Sequence, residues 1–345
     1  MDSKEIQHRT VVEKTESRKD SHMALAFLSQ NEEVDSRFYY EPMLAGHPQK
    51  DAEWPIKFGH QKMKFPLWIS SMTGGTKKTN EINFRLAKAA AKFGLGLGVG
   101  SARIALEGGE KLEGFDLRSL LGEEVPFYLN FGIAQIEKML DDGTITEIQE
   151  LTDKLKADGV IIHVNPLQEW MQPEGDFIKY PPIETIERFM DEVDVQVIVK
   201  EVGQGFGYES MKRLLLLPLV AIEFAANGGT NFAKLELLRN KAKSEFLMPF
   251  VQVGHSAEEM VDIANRLVGE LGDQIKCQTL IISGGVQNFL DGYYLVQKSD
   301  MNAIYGQASG LLKYAQESQE ELDEFIKYQI EGLMLARTIL TIKGK

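Results

Sequence analysis

Short apolar runs alternate with stretches of helical spacing along most of the chain. The runs PLWISS, LGLGVG, VPFYLN, GVIIHVN, VQVIVKEVG, LVAIEF, QTLIIS and NAIYG predict eight strands. Most neighbouring runs lie roughly thirty residues apart, the length of a βαβ unit, and helical patterns such as Glu81–Phe93 fill the intervals. The runs are apolar throughout, as expected for parallel strands that are buried on both faces. The sequence therefore predicts an α/β fold, a single-domain (β/α)8 TIM barrel.

Three segments depart from this rhythm. Residues 1–16 are polar and carry both signs of charge, and we expect residues 1–22 to form an N-terminal substrate-binding arm before a barrel domain at 23–345. The interval between the sixth and seventh strands holds FAKLELLRNKAKSEFLMPFVQVG, which predicts a lid or an oligomer contact, and then a helix at Ala257–Leu271. The tail Gln319–Ile342 has helical spacing, and we expect it to close the barrel.

Composition limits the classes of partner. The 345 residues are 43% hydrophobic, enough for a large core, and the formal net charge of -13 argues against nucleic-acid or anionic-membrane binding. No apolar run is long enough for a membrane span, and the charged N-terminus lacks a secretory pattern, so we expect a cytoplasmic protein. The single cysteine, Cys277, excludes an intrachain disulfide and a Cys-rich metal site.

A polar cluster follows the fourth predicted strand, in the stretch HVNPLQEWMQPEGD. His163, Asn165, Gln168 and Glu169 fall within seven positions at the carboxyl end of that strand, where barrels hold catalytic groups. Glu169 is a hard oxygen ligand suited to magnesium. Pro166 should prevent a helix immediately after the strand. A polar loop without chemistry is the alternative interpretation.

Glycines follow the last three predicted strands. Gly284-Gly285 and Gly306-Gln307 occupy the usual phosphate-binding place of a barrel, and Gly228-Gly229-Thr230 offers a similar contact. Glycine lets backbone N–H groups approach an anion closely, and a following helix N-terminus adds a favourable dipole. Tight turns would explain each pair alone, but the three together indicate a phosphorylated cofactor.

Charged residues occur at two further informative places. Lys200 ends an otherwise apolar strand and should point into the barrel mouth; if it lay against a flavin ring, it would stabilise the anionic reduced form. An ion pair with Glu223 or Glu169 is the alternative. A phosphate could be bound by Arg18, Lys19 and His22. Alternatively, these residues begin a solvated helix.

Several motifs resemble the flavin-dependent, type 2 isopentenyl diphosphate isomerase family. They are RKDSH, SSMTGG, GVGSAR, HVNPLQEWMQPEGD, VKEVGQG, NGGTNFA and SGGVQN, and they span the chain from Arg18 to about Ala315. The resemblance implies a barrel that holds FMN, requires Mg2+ and binds a small-molecule diphosphate. It also implies isomerisation of isopentenyl to dimethylallyl diphosphate in isoprenoid biosynthesis, a 1,3-allylic shift without net redox. The reduced flavin would be the acid/base, with NAD(P)H as the reductant.

The same resemblance assigns residues to roles. FMN contacts would be Ser71, Met72, Thr73, Ser101, Asn130, Lys200 and Thr230, with Gly284, Gly285, Gly306 and Gln307 at its phosphate. Substrate contacts would be Arg18, Lys19, His22, Arg103, His163, Asn165 and Gln168, and Glu169 would bind magnesium. The catalytic residues would be Gln168, Lys200 and His163. We further expect a homo-oligomer, a tetramer or an octamer.

The chain departs from the family pattern at a few positions. Ala102, Ala225 and Gln287 replace the residues that are usual there, and the segment YGQASG is unusual, which leaves some FMN-phosphate contacts open. Two other functions remain as alternatives. An FMN-dependent oxidoreductase on the same barrel would use Arg103 and His163, and a non-catalytic barrel would only bind a phosphorylated ligand.

Overall fold

The computed structural model describes residues 18–30, 33–71 and 76–344, apart from the side chains of Lys241 and Ala242. Contacts divide the chain into two units, Met1–Tyr39 and Tyr40–Lys345, and each unit is considered by itself. In the first unit, residues 18–25 are helical and their side chains are exposed. The predicted boundary between an arm at 1–22 and a barrel domain at 23–345 stays a prediction.

Within the described part of the second unit, eight parallel strands close into a barrel. They are β1 Leu67–Ile69, β2 Gly96–Ser101, β3 Phe127–Gly132, β4 Gly159–His163, β5 Gln196–Lys200, β6 Ala221–Glu223, β7 Thr279–Ser283 and β8 Ala303–Gln307. Each strand pairs with the next in chain order, and β8 pairs with β1 to complete the ring. The predicted (β/α)8 barrel is confirmed.

Helices connect the strands. They are Lys77–Phe93, Arg118–Leu121, Ile133–Asp142, Thr146–Lys154, Pro166–Met171, Pro182–Glu192, Tyr208–Leu215, Phe232–Arg239, Lys241–Leu247, Ala257–Leu271, Phe289–Lys298, Ser309–Glu317 and Gln319–Ile339. Short 3-10 helices lie at Arg103–Glu107, Gly109–Leu112, Met248–Gln252 and Gly272–Gln274, and further short strands at Phe38–Tyr40, Ile56–Phe58, Gln61–Met63 and Leu340–Ile342. None of the helices in the described ranges has the length and apolar character needed to cross a membrane.

Local sequence sets the ends of the helix Lys77–Phe93. The side chain of Thr76 accepts a hydrogen bond from the N–H of Thr79, and the side chain of Thr79 accepts one from the N–H of Thr76. This reciprocal capping box starts the helix about one turn before the predicted Glu81. Gly94 ends it with a φ of 65°, a left-handed conformation that glycine adopts readily.

The lower barrel interior is filled by large side chains. Trp68, Tyr128 and Ile161 are fully buried there. The antiparallel hairpin Ile56–Phe58 and Gln61–Met63 adds Phe58, whose ring stacks on Trp68 with centroids 5.0 Å apart. The hairpin turn at Gly59 lies beside the residues that begin β5 and precede β6, so the hairpin packs against the amino-terminal ends of the strands. The opposite, carboxyl ends remain available for a site.

The prediction that Pro166 prevents an immediate helix is wrong. The helix Pro166–Met171 begins at Pro166, with Asn165 as its N-cap. Proline suits a first helical position, because its missing N–H would have no intrahelical partner there. The polar cluster therefore continues from β4 into the short helix Pro166–Met171, which carries Gln168 and Glu169.

Candidate active site

The interior side chains change from apolar to polar near the carboxyl ends of the strands. Residues two apart on a strand share a face, because successive side chains point in opposite directions. Two positions after the core residues Trp68, Tyr128, Ile161, Ile198, Ala221 and Ile281 stand Ser70, Asn130, His163, Lys200, Glu223 and Ser283. We call these six residues the polar layer. It forms the upper face of the barrel interior.

A cavity of about 310 Å³ opens at this end of the barrel. Its volume is at the lower end of the range for small-molecule sites, about 300–1,000 Å³. The polar layer contributes Ser70, Lys200, Glu223 and Ser283 to its walls, and the predicted cofactor residues Ser71, Thr230, Gly284, Gly285, Gly306 and Gln307 also line it. The structure thus gathers most of the predicted cofactor contacts around one cavity.

The loops that follow β6 and β7 touch backbone to backbone in the cavity wall. Gly284 has a φ of +90°, and a Cβ added to it would lie 2.1 Å from the carbonyl oxygen of Ala226. Gly228 has a φ of +107°, and its added Cβ would lie 3.1 Å from the Cα of Gly285. Only glycine permits this approach without displacing the backbone. The glycines are therefore both turn residues and cavity wall.

The helix Ser309–Glu317 begins beside the same cavity. Its first residues, Ser309 and Gly310, line the wall, and its N-cap Ala308 supplies no side-chain hydrogen bond. The first N–H groups of a helix lack intrahelical partners, and the helix dipole places partial positive charge there. Together with the glycine loops, this end of the cavity suits a phosphate group.

A hydrogen-bonded chain joins three predicted site residues. Asn130 donates from Nδ2 to Ser71 Oγ at 3.1 Å. Its Oδ1 therefore faces Nδ1 of His163, at 2.8 Å. An amide oxygen only accepts, so Nδ1 of His163 carries the proton and Nε2 is left as an acceptor. Ser71 and His163, on opposite sides of β3, are thus held in one network.

The His163 imidazole is neutral in the free protein. Burial and, to a smaller extent, the positive charge of Lys200 together lower its pKa to about 3. The two residues are register partners on β4 and β5. A cationic imidazole would be desolvated and would face a second cation. His163 can therefore contribute positive charge to an anion site only after an anion has entered.

Lys200 is almost fully buried in the cavity wall. Its ammonium donates to the carbonyl oxygen of Glu201 at 3.0 Å. Its register partner on β6 is Glu223, which is fully buried. Of the two carboxylates considered as ion-pair partners, Glu223 is therefore the neighbour, whereas Glu169 makes hydrogen bonds elsewhere.

Both carboxylate oxygens of Glu169 are held by the surrounding turn. Oε1 accepts from Asn165 Nδ2 at 2.7 Å, and Oε2 accepts from the N–H of Asp176 at 2.8 Å. Each oxygen keeps a lone pair for a cation. In the ranges that the structure covers, no group of three or more His, Cys, Asp or Glu side chains could hold a metal. Any metal here would need most of its ligands from substrate and water.

The sequence analysis missed Glu236. It lies in the helix Phe232–Arg239, is 4% exposed, and accepts from Gln168 Nε2 at 3.5 Å. Arg239 binds Glu236 at 2.6 Å and Glu174 at 2.9 Å, so it links this helix to the loop after Glu169. The segment reads as an ordinary charged helix, and no sequence signal distinguishes Glu236 from its neighbours.

Arg103 lies in the wall of a second, more open cavity. It forms an ion pair of 3.4 Å with Asp176, whose N–H holds Glu169. The structure therefore brings Arg103 to the Glu169 loop. Ser101 ends β2 beside Asn130 but is exposed and does not line the first cavity.

The remaining predicted residues lie elsewhere. Met72 and Thr73 lie outside the described residues. Arg18, Lys19 and His22 lie in the first unit, with exposed side chains on the helical stretch 18–25. Their role in substrate binding stays a prediction.

Solved structures share the fold at low sequence identity. A mandelate oxidase variant with a monooxide FMN adduct aligns with a TM-score of 0.56 and 12% identity, covering 90% of this chain and 88% of that chain. A flavocytochrome b2 variant with sulfite bound aligns with a TM-score of 0.60 and 12% identity, covering 91% and 78%. Fold and cavity together define a (β/α)8 barrel protein of the kind that holds its site at the carboxyl ends of the strands.

Sequence comparison defines the family. The isopentenyl-diphosphate delta-isomerase of Rickettsia typhi (strain ATCC VR-144 / Wilmington) is 34% identical over 276 residues, which are 79% of this chain and 77% of the relative. The protein of the same name from Rickettsia felis (strain ATCC VR-1525 / URRWXCal2) is 32% identical over 278 residues, 80% and 76%. The chain belongs to the isopentenyl-diphosphate delta-isomerase family. No protein-family model matches it.

Proposed function

We propose that this protein isomerises isopentenyl diphosphate to dimethylallyl diphosphate, with reduced FMN and magnesium bound. The observation that carries the proposal is the cavity whose glycine loops and helix N-terminus suit a phosphate, with Lys200 in the same wall. The helical turn that bears Gln168 and Glu169 follows β4, which also carries His163 into the polar layer. Family membership supports the choice of reaction.

The residues present fit FMN. Gly228 and Gly284 line the cavity with backbone, and the helix after β8 begins in the same wall and favours the cofactor's phosphate. Lys200 would place a positive charge beside the ring. Bound in reduced form, FMN would supply a group that gives and accepts a proton without net redox. The residues Ser71, Thr230, Gly285, Gly306 and Gln307 would complete the contacts.

The residues around Glu169 fit magnesium that is bound mainly by diphosphate and water. Magnesium commonly uses one or two carboxylates together with substrate phosphate oxygens. Glu169 is pre-oriented by Asn165 and Asp176, so little side-chain entropy would be lost on binding. Arg103, which pairs with Asp176, is near enough to this loop to bind a diphosphate oxygen after releasing that partner.

A 1,3-allylic shift needs a proton added at one carbon and removed at another. Gln168 is neutral, so it can orient the alkene or relay a proton through water without holding charge. Its Nε2 already faces the buried carboxylate of Glu236. Diphosphate beside His163 would favour the imidazolium and oppose the effects that lower its pKa, so substrate binding should take up a proton there.

The oxidoreductase alternative fits the geometry less well. That chemistry requires Arg103 and His163 on one carboxylate substrate, but Arg103 pairs with Asp176 whereas His163 is bound to Asn130. NAD(P)H as reductant, a cytoplasmic location and a homo-oligomeric state remain predictions.

The test is to purify the protein, saturate it with FMN and magnesium, and follow conversion of isopentenyl diphosphate with and without dithionite. We expect turnover only with reduced flavin, and no flavin oxidation in proportion to product. A protein that does not bind FMN would contradict the proposal, and so would stoichiometric flavin oxidation by substrate. Chelation of magnesium should abolish turnover, and Glu169→Gln should raise the magnesium concentration required.

A further inference from the structure

Glu223 is a buried carboxyl group that the proposed function does not use. It ends β6, is 0% exposed as a residue, and lines the cavity. It lies in the polar layer as the register partner of Lys200. A carboxyl group so completely removed from water is costly unless it is neutralised or paired.

The hydrogen bonds of Glu223 do not account for its burial. Ser283 Oγ donates to Oε1 at a long 3.4 Å. Oε2 has no hydrogen-bond partner among the described residues, although Ser70 and Trp68 are near enough to lower the pKa of the carboxyl group. Burial raises that pKa, and the positive charge of Lys200 is the largest influence that opposes the rise.

The charged and titratable neighbours of Lys200 come from three strands. His163 on β4 is neutral, and Glu201 follows Lys200 and offers its carbonyl oxygen. The Glu201 carboxylate is engaged elsewhere, since its Oε2 accepts the N–H groups of Gly203, Gln204 and Gly205. Glu223 on β6 is thus the carboxylate placed to balance the Lys200 ammonium within the polar layer.

We propose that Glu223 is a positioning residue that acts through Lys200. Its carboxyl group positions the Lys200 ammonium in the desolvated wall, and so sets the charge that the cavity presents to a bound flavin. The idea rests on the proposed function, because Lys200 is assigned there to the flavin. Glu223 itself needs no contact with the substrate.

The first experiment uses the full-length protein with FMN. Wild type, Glu223→Gln, Glu223→Asp and Lys200→Met are compared by flavin midpoint potential over the same range of pH values. In Glu223→Gln, Lys200 loses the neighbour that positions it beside the flavin, so the midpoint potential should fall toward that of Lys200→Met, by the equivalent of about tenfold in the reduction equilibrium. Glu223→Asp keeps the carboxyl group and should stay near the wild-type profile.

Two further variants test specificity. Glu137→Gln replaces another buried carboxylate, one that accepts backbone N–H groups far along the chain, and should leave the profile unchanged. Adding Glu223→Gln to Lys200→Met should cause no further shift in the midpoint potential, because Glu223 acts through Lys200 and that side chain has been replaced. An unchanged profile in Glu223→Gln would overturn the proposal, as would the same shift in the Lys200→Met background.

A second experiment needs no flavin. Lys200→Met leaves Glu223 buried without its counter-charge, so this variant should unfold at lower urea, and adding Glu223→Gln should restore part of the loss. Equal, additive losses from the two changes would overturn the pairing. If wild type binds no FMN, the proposed function fails, while this arm still decides whether Glu223 and Lys200 act together.

Discussion

Two layers of the same barrel, separated by one pleat of each strand, have opposite character. The lower layer, with Trp68, Ile161 and Ile198, is apolar and fully buried. The polar layer directly above it carries His163 and Lys200 on the same strands. Burial of the apolar side chains in the lower layer stabilises the fold. Burial of the polar side chains in the polar layer destabilises it, because their neighbours satisfy their hydrogen bonds only in part.

The difference shows how one set of strands can serve both stability and function. Apolar packing below fixes the strand ends, so the polar groups above need not stabilise the fold themselves. The His163 to Asn130 hydrogen bond and the placement of Lys200 beside Glu223 depend on that fixed register. Changes in the two layers should therefore have separable effects, and the following predictions test that separation.

The largest effect is expected in the lower layer. Ile161→Ala should reduce the free energy of unfolding by about 2–5 kcal/mol, because it leaves a cavity in the barrel centre. Urea denaturation measures this, and FMN affinity of the folded protein should change little. Leu238→Ala, at a side chain 67% exposed, is the control and should change stability by less than about 0.5 kcal/mol. Similar losses for both variants would remove the distinction.

The next effect concerns the turn above β4. Gln168→Ala should lower kcat roughly 10²-fold, the scale of a proton-transfer contribution, with flavin affinity and magnesium dependence nearly unchanged. Gln168→Glu should weaken substrate binding as well, because it adds negative charge beside Glu169 and Glu236. Steady-state kinetics with reduced flavin provides the measurement. Near-normal kcat in Gln168→Ala would make this side chain structural.

The glycines that line the cavity should tolerate substitution by alanine less well than a glycine on a helix surface. Gly284→Ala should cost about 1–3 kcal/mol of stability and weaken FMN binding, because its Cβ would meet the Ala226 backbone at positive φ. Gly269→Ala is the matched control, in the helix Ala257–Leu271 with nothing within 4 Å of its added Cβ. It should stabilise by about 0.5–1 kcal/mol. Thermal unfolding and FMN titration give both values.

At neutral pH the smallest effect is that of the His163 pKa, because it appears only as the pH falls below about 6.5. Its native pKa of about 3 lies below the usual value, so its contribution to stability is complete above about pH 6.5 and is lost as pH falls toward 3. As the pH falls through that range, the free energy of unfolding should decrease more steeply for wild type than for His163→Gln. The difference between the two slopes should be about 1.4 kcal/mol per pH unit. Parallel curves for the two proteins would show that the imidazole is not held neutral.

Much of the fold was predictable because its signals are local. Apolar runs at regular spacing predicted β4 and the other barrel strands, and the predicted helix Ala257–Leu271 has the same bounds in the structure. The hairpin around Gly59 was missed, because its two strands are short and its apolar side chains pack against barrel residues that are far away in the sequence. Pro166 was misjudged, since proline stops a helix in its interior but suits its first turn.

The candidate site was predictable in part. Gly284, Gly306 and Lys200 stood out at strand ends, where residue type and position both point to a ligand. Glu236 gave no comparable signal, and Glu223 was considered only as a possible ion-pair partner. Their importance depends on burial and on neighbours from other strands, which a local pattern does not contain.

The sequence by itself determined the barrel, the order of its strands and the residue types available at each strand end, because period and turn chemistry are properties of neighbouring residues. Only the tertiary structure decided that His163 is neutral, that Glu223 lies beside Lys200 and that Arg239 bridges Glu174 and Glu236. Those features arise from strand register and desolvation. Both are set by contacts between residues far apart in the chain.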